Sequence, residues 1–480
     1  MVALNRTSAD IETLRPVKVL QFGEGNFLRA FVDWMVDLMN EHSHFDGDVM
    51  IVQPIQKGLG ALLNEQQGLY HVLLNGIYKG KLSTERRLIT CVRGVLNPYQ
   101  SFQKFLELAE NPDLKFIISN TTESGITFNA HDTAPNVLPE CFPGKLTALL
   151  YRRFVHFNGA ADKAPIIIPC ELIDKNGQAL RDVVLAYVSL WKLSPDFKHW
   201  IAHEVIFCNT LVDRIVPGFP KDTIDEIQKE TGFEDKLVVM AEPFHLWVIE
   251  APEIVSKAFP AAKAGLNVKF VKDQSPYRTR KVRILNGAHT ALVPVAYLQG
   301  LRTVRESVEN EFAGAFIKEA IHEEIIPTLD LPPDELKQFA DDVIERFQNP
   351  FIKHELSSIA LNSISKYKVR VLPSALQFIE DNQTLPDRLL FSLACLIRFY
   401  KGDWKGEATP VSDDPAVITH FQEAWSFAPD HFQVVARILS QITLWDLDLT
   451  KTPGFAERVT YFLDRIENTQ NIAEAWKARN

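Results

Sequence analysis

Short apolar runs and stretches of helical periodicity alternate along the first part of the chain, up to about residue 274. Short apolar runs separated by helices predict buried parallel strands joined by helical crossovers. Beyond Leu298 helical periodicity dominates and no alternating strand pattern stands out. We therefore predict an α/β domain over residues 1–274 and a mostly α-helical C-terminal domain over residues 275–480. The predicted strands are Val17 to Phe22, Asp48 to Val52, Leu69 to Leu74, Arg87 to Val95 and Phe116 to Ser119.

One largely apolar stretch, Ser275 to Leu298, carries three polar residues on one side. Ser275 can act as N-cap and Pro276 suits the first turn, so the stretch predicts a helix. At about 100° per residue, Lys281, Asn286 and His289 fit one side of this helix. Buried polar groups need partners or a use, and Gly287 would let another backbone or a ligand come close. From the helix alone, a core helix with three satisfied polar residues and a catalytic helix both stay open.

The first predicted strand leads into a turn that contains Gly23 and Gly25, and a helical pattern begins after Leu28. Glycines at such a turn let the backbone approach a pyrophosphate, whose negative charge is favoured by a helix N-terminus. The third glycine of the usual dinucleotide-binding fingerprint is replaced by Leu28. A Rossmann-like nucleotide-binding turn and a tight structural turn both fit these residues.

Two other strand ends bear on a nucleotide cofactor. The strand Phe116 to Ser119 enters a polar turn, Asn120 to Gly125, at the end where open α/β sheets bind ligands; a capped loop is the alternative. The strand Asp48 to Val52 is followed by Gln53 and not by the acid that often binds the adenine ribose. Since no arginine cluster for a 2′-phosphate follows either, we expect NAD over NADP.

Composition narrows the class of protein. The chain has 480 residues, of which 46% are hydrophobic, so two or three globular domains are expected. A net charge of −10 argues against nucleic acid and anionic membranes as partners. Five cysteines without a CxxC pair suit a reducing compartment, and neither a signal peptide nor an apolar run of about 18 residues is evident, so we expect a cytoplasmic protein. No metal-binding motif is found, and the sequence does not indicate an oligomeric state.

The polar residues of the apolar helix resemble a motif of the polyol-specific long-chain dehydrogenase family, also called the mannitol dehydrogenase family. That motif is a Lys, a Leu-Asn pair four and five residues on, and a His three later; Lys281, Leu285, Asn286 and His289 match it. The resemblance implies a Rossmann-like N-terminal domain, a helical substrate domain and an NAD-dependent dehydrogenase. It also implies that Lys281 is the general acid/base at the reacting oxygen. Asn286 and His289 would then hydrogen-bond to that oxygen and to neighbouring hydroxyls.

The glycine turn matches the family's own variant, in which Gly-x-Gly is followed by a Phe two residues on and an Arg two after that. The family also places a Thr-Glu-x-Gly turn beside the nicotinamide. The cofactor-binding residues that the resemblance implies are Val19, Leu20, Gln21, Phe22, Gly23, Glu24, Gly25, Asn26, Phe27, Leu28, Arg29, Ala30, Thr122 and Glu123.

Several segments resemble one branch of this family, the tagaturonate reductases (altronate oxidoreductases): QFGEGNFLRAFVDW, SNTTESGI, CELIDKNG, LVDRIVPG and ILNGAHTALVPVA. The resemblance implies reversible hydride transfer between NAD(H) and a sugar acid. The reaction would interconvert D-tagaturonate and D-altronate in hexuronate (galacturonate) catabolism. A fructuronate reductase (mannonate oxidoreductase), a broad polyol dehydrogenase and a catalytically silent NAD-binding protein remain alternatives.

Departures from the family pattern fall around the substrate. Leu172 stands where mannitol dehydrogenases have a second oxyanion amide, Ser358 replaces an arginine, and Arg278 replaces a glutamate. The implied substrate-binding residues are Asp213, Arg278 and Lys366, with Arg278 or Lys366 holding the substrate carboxylate. Asp213 could equally form a structural ion pair with Arg214. Lys368 and Arg370 are expected to be surface charges.

Overall fold

The computed structural model describes residues 1–122 and 124–477. The chain divides into two compact units. The first comprises Met1–Gly76 and Leu82–Gln274, and the second comprises Ile77–Lys81 and Ser275–Asn480. Within the described ranges, no helix combines the length and the apolar character that crossing a bilayer requires. The units are taken in turn.

The first unit mixes strands and helices. Its strands are β1 (Val2–Ala3), β2 (Val17–Phe22), β3 (Asp48–Val52), β4 (Tyr70–Tyr78), β5 (Lys81–Ile89), β6 (Val92–Leu96), β7 (Phe116–Ser119), β8 (Ile166–Pro169), β9 (Ile206–Phe207), β10 (Asn209–Asp213), β11 (Phe233–Glu234), β12 (Val239–Ala241), β13 (Leu246–Glu250) and β14 (Val268–Val271). Its helices are α1 (Asn26–Leu28), α2 (Trp34–His42), α3 (Gly60–Glu65), α4 (Phe102–Glu107), α5 (Phe142–His156), α6 (Asn176–Leu190), α7 (Pro195–His203), α8 (Ile224–Thr231) and α9 (Glu253–Ala258). A π-helical turn, Arg29–Asp33, joins α1 to α2.

A parallel sheet forms the centre of this unit, in the spatial order β6-β3-β2-β7-β8-β9. Counted along the chain within the sheet, this is the order 3-2-1-4-5-6 of a dinucleotide-binding fold. Alternate residues of β2 enter different clusters, Val19 packing with the α2 side and Leu20 and Phe22 with the α5 side. Because both faces are covered by helices, the strands read as continuous apolar runs. The predicted Rossmann-like fold is confirmed.

The segment from Arg87 to Val95, predicted as one strand, forms parts of two strands. The predicted strand Arg87 to Val95 is wrong, because β5 ends at Ile89 and β6 begins at Val92. The two strands belong to different sheets, β5 to the order β12-β4-β5 and β6 to the edge of the parallel sheet. The segment RLITCVRGV mixes apolar and polar residues on both sides of Thr90 and Cys91, so its periodicity carries no sign of the change of sheet.

The second unit is mostly helical. Its helices are α10 (Ser275–Arg280), α11 (Gly287–Leu298), α12 (Val304–Glu309), α13 (Glu311–Glu319), α14 (Pro333–Phe347), α15 (Leu356–Ile359), α16 (Ser363–Arg370), α17 (Leu372–Asn382), α18 (Asp387–Phe399), α19 (Pro415–Phe427), α20 (His431–Leu439), α21 (Ile442–Trp445), α22 (Phe455–Thr469) and α23 (Ile472–Lys477). Two short strands, β15 (Asp403–Trp404) and β16 (Glu407–Ala408), form a hairpin. The predicted helical C-terminal region is confirmed.

Candidate active site

The turn after β2 lies at the point where the strand order of the parallel sheet reverses. Gly23 has φ of +121°, a conformation that side-chain-bearing residues rarely adopt, and a Cβ there would stand 3.1 Å from the carbonyl of Asn120 after β7. A Cβ at Gly25 would meet no atom within 4 Å. The turn is therefore open on the Gly25 side, where the helix that starts at Asn26 directs its first N–H groups. These residues fit a pyrophosphate.

A buried arginine supports this turn from inside the first unit. Arg29 donates from Nε to the Glu24 carbonyl at 3.1 Å, from Nη1 to the Leu237 carbonyl at 2.6 Å, and from Nη2 to Oδ1 of Asn26 at 2.7 Å. Burial lowers the pKa of Arg29. Because Arg29 donates these hydrogen bonds to the protein itself, it holds the backbone of Glu24 and the side chain of Asn26 in place. Any effect of Arg29 on a cofactor would therefore be indirect, through these two residues.

A carboxyl group lies beneath the same turn. Asp33 is fully buried and accepts a hydrogen bond at 2.7 Å from the Tyr70 hydroxyl. The amide of Gln21 donates to the Gly23 carbonyl at 3.1 Å and to Asp33 at 3.4 Å, which links the acid to the glycine turn. Burial raises the pKa of Asp33 from 3.8 to about 7.

The end of β3 shows why Gln53 can replace the usual ribose-binding acid. The Gln53 amide donates to the carbonyls of Ile55 and Gln56, and its oxygen accepts the N–H of Gly60, so the side chain is used to hold the following turn. Glu24, from the glycine turn, brings a carboxylate to the same place. A Cβ at Gly58 would collide with it, and burial raises the pKa of Glu24. A buried acid is thus present here, supplied by a different strand end.

The polar turn after β7 is held by an acid from the end of β8. Glu171 is buried, and it accepts bonds from the Ser119 hydroxyl at 3.0 Å and from the N–H and hydroxyl of Thr121 at 3.0 and 3.1 Å. Burial raises the pKa of Glu171. Thr122, a predicted cofactor ligand, is exposed on this turn, while Glu123 lies outside the described residues.

The remaining predicted residues of the first unit divide by exposure. Gly25 and Asn26 are exposed and Phe27 is half-buried, whereas Val19, Leu20, Gln21, Phe22, Leu28 and Ala30 are buried. Asp213 is buried at the end of β10. Its neighbour Arg214 donates to the carbonyls of Ala30 at 2.7 Å and Glu242 at 2.9 Å, and burial lowers its pKa to about 9. Arg214 is therefore a structural residue.

In the second unit, the helix predicted from Ser275 to Leu298 is present, with one π-helical turn, Lys281–Asn286, between α10 and α11. The N–H of Gly287 bonds to the carbonyl of Val282, five residues earlier. A straight α-helix would separate Lys281 and Asn286 by about 140° around the axis; the wider turn brings residues five apart onto successive turns of one face. Ser275 is the first helical residue and not the cap. Turns of this kind occur frequently at functional sites.

Gly287 has the close neighbour that the sequence suggested. A Cβ at this position would stand 3.0 Å from the carbonyl of Arg370, the last residue of α16. The close contact brings α16 against the face of the helix that carries Asn286.

Aromatic rings from the second unit surround His289. Its ring is stacked on Phe347, with centroids 4.0 Å apart and planes at 26°, and it meets His354 edge-on at 5.1 Å. Burial lowers the pKa of His354. The stacking restricts the rotation of the His289 ring. Lys281, Asn286 and His289 are all half-buried and lie on one stretch of helix.

Several cations lie near this stretch, and their partners differ. Arg280 is 3% exposed, pairs with Glu335 at 2.9 Å and covers the ring of Phe339 at 4.2 Å. Arg278, one turn before Lys281, is half-buried. Lys366 donates to the carbonyl of Ile359 at 2.9 Å, and burial, followed by the charge of Arg370, lowers its pKa.

The two residues expected to be surface charges differ from each other. Lys368 pairs with an exposed Asp446 at 3.1 Å, as a surface charge would. Arg370 is half-buried, as Lys368 is, but burial lowers the pKa of Arg370, and the hydrogen-bond partner of its side chain is the Thr290 hydroxyl and not an acid. The α16 end that carries Arg370 is in close contact with Gly287.

Comparison with known proteins identifies the family. The family model described as the mannitol dehydrogenase Rossmann domain matches residues 17–262, and the mannitol dehydrogenase C-terminal domain matches residues 273–467. The chain belongs to the mannitol dehydrogenase family. It is 47% identical over 467 residues to an altronate oxidoreductase of Bacillus subtilis (strain 168), covering 97% of this chain and 96% of that one. The altronate oxidoreductase of Cronobacter sakazakii is also 47% identical, over 95% of each chain.

Solved structures show the same fold at lower identity. A D-sorbitol dehydrogenase in substrate-free form matches with a TM-score of 0.82 and 23% identity, covering 99% of this chain and 100% of that one. The Pseudomonas fluorescens mannitol 2-dehydrogenase, in a ternary complex with NAD and D-mannitol, matches with a TM-score of 0.69 and 22% identity over 99% of each chain.

Leu172, identified from the sequence as a departure from the mannitol dehydrogenase family pattern, is 60% exposed.

Other residues near the candidate site were not marked by the sequence. Phe347, His354 and Thr290 had no motif to mark them, whereas Arg370 had a signal in its spacing of four from Lys366, which puts both on one helix face. Among the described residues, no three His, Cys, Asp or Glu side chains come together as metal ligands would.

Proposed function

We propose that this protein is an NAD-dependent oxidoreductase that interconverts D-tagaturonate and D-altronate. The observation that carries the proposal is the 47% identity over nearly the full length to enzymes named altronate oxidoreductase. The Lys281, Asn286 and His289 set on the π-turn helix supports catalysis over a silent binding role, because a protein that only binds NAD needs none of the three. We also propose a cytoplasmic location, which the five free thiols support.

The first unit would hold NAD, since the Gly23 to Asn26 turn fits a pyrophosphate. The carboxyl group of Glu24, from the same turn, lies close to the residues that follow β3. The second unit would hold the sugar acid. When bound, NAD(H) supplies or accepts the hydride.

The chain's own residues would manage the proton and the charge at the reacting oxygen. In the reducing direction Lys281 gives its Nζ proton to the oxygen that was the ketone, and in the oxidising direction it takes the proton back. Asn286 donates from its amide to the same oxygen, and His289 bonds to a neighbouring hydroxyl. Donors fixed in position before the reaction stabilise developing charge without reorganising, and the stacking of His289 on Phe347 provides such a fixed ring.

The test of the function is NADH oxidation with tagaturonate, fructuronate and fructose side by side. We expect the largest kcat/KM for tagaturonate. A preference for fructuronate or for fructose would replace the proposal with the sister reductase or with a broad polyol dehydrogenase. No turnover of any of these, with NADH bound, would indicate a silent protein.

The test of the chemistry is Lys281→Ala. General acid/base removal typically lowers rates by about 10²–10⁴-fold, and NADH binding should stay close to wild type because the change lies in the second unit. Lys318→Ala, at an exposed position of α13, removes the same charge as a control. If Lys281→Ala keeps more than about a tenth of the wild-type rate, the assignment of Lys281 fails.

A further inference from the structure

The end of α16 places a guanidinium group beside the catalytic face of the Ser275–Leu298 helix. Nη1 of Arg370 lies 3.5 Å from Oγ1 of Thr290. Thr290 directly follows His289, and its hydroxyl donates to the carbonyl of Asn286 at 2.8 Å. Arg370 is thus one hydroxyl away from the helical turn that carries two of the three proposed catalytic residues.

The charge of Arg370 is not balanced by an acid. Among the residues that the structure describes, Arg370 forms no ion pair with a carboxylate, and the hydrogen-bond partner of its side chain is the neutral hydroxyl of Thr290. It is half-buried, and burial lowers its pKa. Lys366, one helical turn earlier, adds a second cation to the same helix face. A partly desolvated cation without a counter-charge is costly, so an anion at this place would be stabilised.

We propose that Arg370 binds the carboxylate of the sugar-acid substrate, with Lys366 adding positive potential. This inference rests on the proposed function, since it is the acid group that separates a uronate from the polyols of the family. The planar guanidinium suits the task because it can donate two parallel hydrogen bonds to both carboxylate oxygens.

Other cations of the second unit are less suited to this role. Arg280 is committed to Glu335 and the ring of Phe339, and Lys368 to Asp446. The ammonium of Lys366 donates to the carbonyl of Ile359. Arg278, one turn before Lys281, and Arg283, which is half-buried and has its pKa lowered by burial, are competing candidates, and both are included in the test.

The experiment compares D-tagaturonate with D-tagatose, which carries CH2OH in place of the carboxylate. Rates are measured with NADH for the wild type, Arg370→Met, Arg278→Met, Arg283→Met and Lys368→Met. Where D-tagatose turns over too slowly, its inhibition constant is used. Losing a charge-assisted bond should lower kcat/KM for tagaturonate by roughly 10- to 150-fold, mainly through KM. D-tagatose should be nearly unaffected. Lys368→Met, which removes the same charge from the same helix, should behave as wild type.

The outcomes separate this inference from the proposed function. If the wild type has no preference for tagaturonate over D-tagatose, the proposed function fails. If the wild type has that preference and Arg370→Met keeps it, or if Arg278→Met or Arg283→Met loses it instead, the role of Arg370 is overturned. An equal loss on both substrates would show a structural role and would also overturn it. Should Arg370→Met unfold, Arg370→Lys serves, because it keeps the charge with fewer donors and should show an intermediate preference.

Discussion

Asp33 should make the stability of the first unit depend on pH in a way that one substitution removes. This carboxyl is fully buried beneath the glycine turn and is bonded to the hydroxyl of Tyr70 and the amide of Gln21. Burial raises its pKa from 3.8 to about 7. Asp33→Asn keeps the shape and an acceptor oxygen for both donors but cannot ionise.

The sign of the pH dependence of stability follows from whether the folded or the unfolded chain holds the Asp33 proton more tightly. Below about pH 4 the carboxyl is protonated in both the folded and the unfolded chain. Between about pH 4 and pH 7 the folded chain keeps a proton that the unfolded chain releases, so the free energy of unfolding falls as pH rises. Above about pH 7 both forms are ionised and the loss is complete. A pKa difference of about 3 corresponds to about 4 kcal/mol as an upper limit.

The assay is the thermal unfolding midpoint of the full chain from pH 5 to pH 8. Relative to the wild type, Asp33→Asn should gain stability as pH rises, by several degrees at pH 8, since about 1 kcal/mol shifts the midpoint of such a domain by about 2–4 °C. Asp113→Asn, a change of the same kind at an exposed position, should follow the wild type. Parallel curves for wild type and Asp33→Asn across this range would refute the reasoning, because no proton would then be linked to folding at Asp33.

Two substitutions test the proposed cofactor turn. Gly25→Ala should leave the unfolding midpoint unchanged, because a Cβ there meets no protein atom within 4 Å, yet it should weaken NADH binding by roughly tenfold or more if a pyrophosphate packs on that surface; an unchanged dissociation constant would contradict this. The wild type should prefer NADH to NADPH, and Glu24→Gln should reduce that preference by removing the buried carboxylate that would repel a 2′-phosphate. The same ratio of kcat/KM values for the two cofactors in both proteins would contradict the role of Glu24.

The elements that the sequence predicted well are those whose burial is uniform along their length. β2, β3 and β7 have the predicted bounds because strands covered on both faces are largely apolar and end abruptly in polar turns. The strand Arg87 to Val95 was misjudged because local periodicity cannot show a change of partner strand. The π-turn at Lys281–Asn286 could not be predicted either, since the residue after it, Gly287, lies against the end of α16, which is distant in sequence.

The candidate site shows the same division. Lys281, Asn286 and His289 were marked by their spacing on an apolar helix, and the glycine turn by its place after the first strand. Arg370 carried no such mark, and Glu24 is predicted only as one of several cofactor-binding residues, because what each side chain can do depends on its surroundings. Gln53 is unavailable only because its amide is bonded to Ile55, Gln56 and Gly60, and no property of the residue type reveals that.

Gly287 connects the proposed catalytic and carboxylate-binding groups of the second unit. Its lack of a side chain admits the Arg370 carbonyl at 3.0 Å from the position of a Cβ, and its N–H closes the π-turn onto Val282. A larger residue would push the end of α16 outward and would carry the Arg370 guanidinium away from Thr290. The same glycine thus contributes both to the alignment of Lys281 with Asn286 and to the position of Arg370 beside Thr290. Chemistry and acid specificity are therefore both expected to depend on this one backbone contact between Gly287 and Arg370.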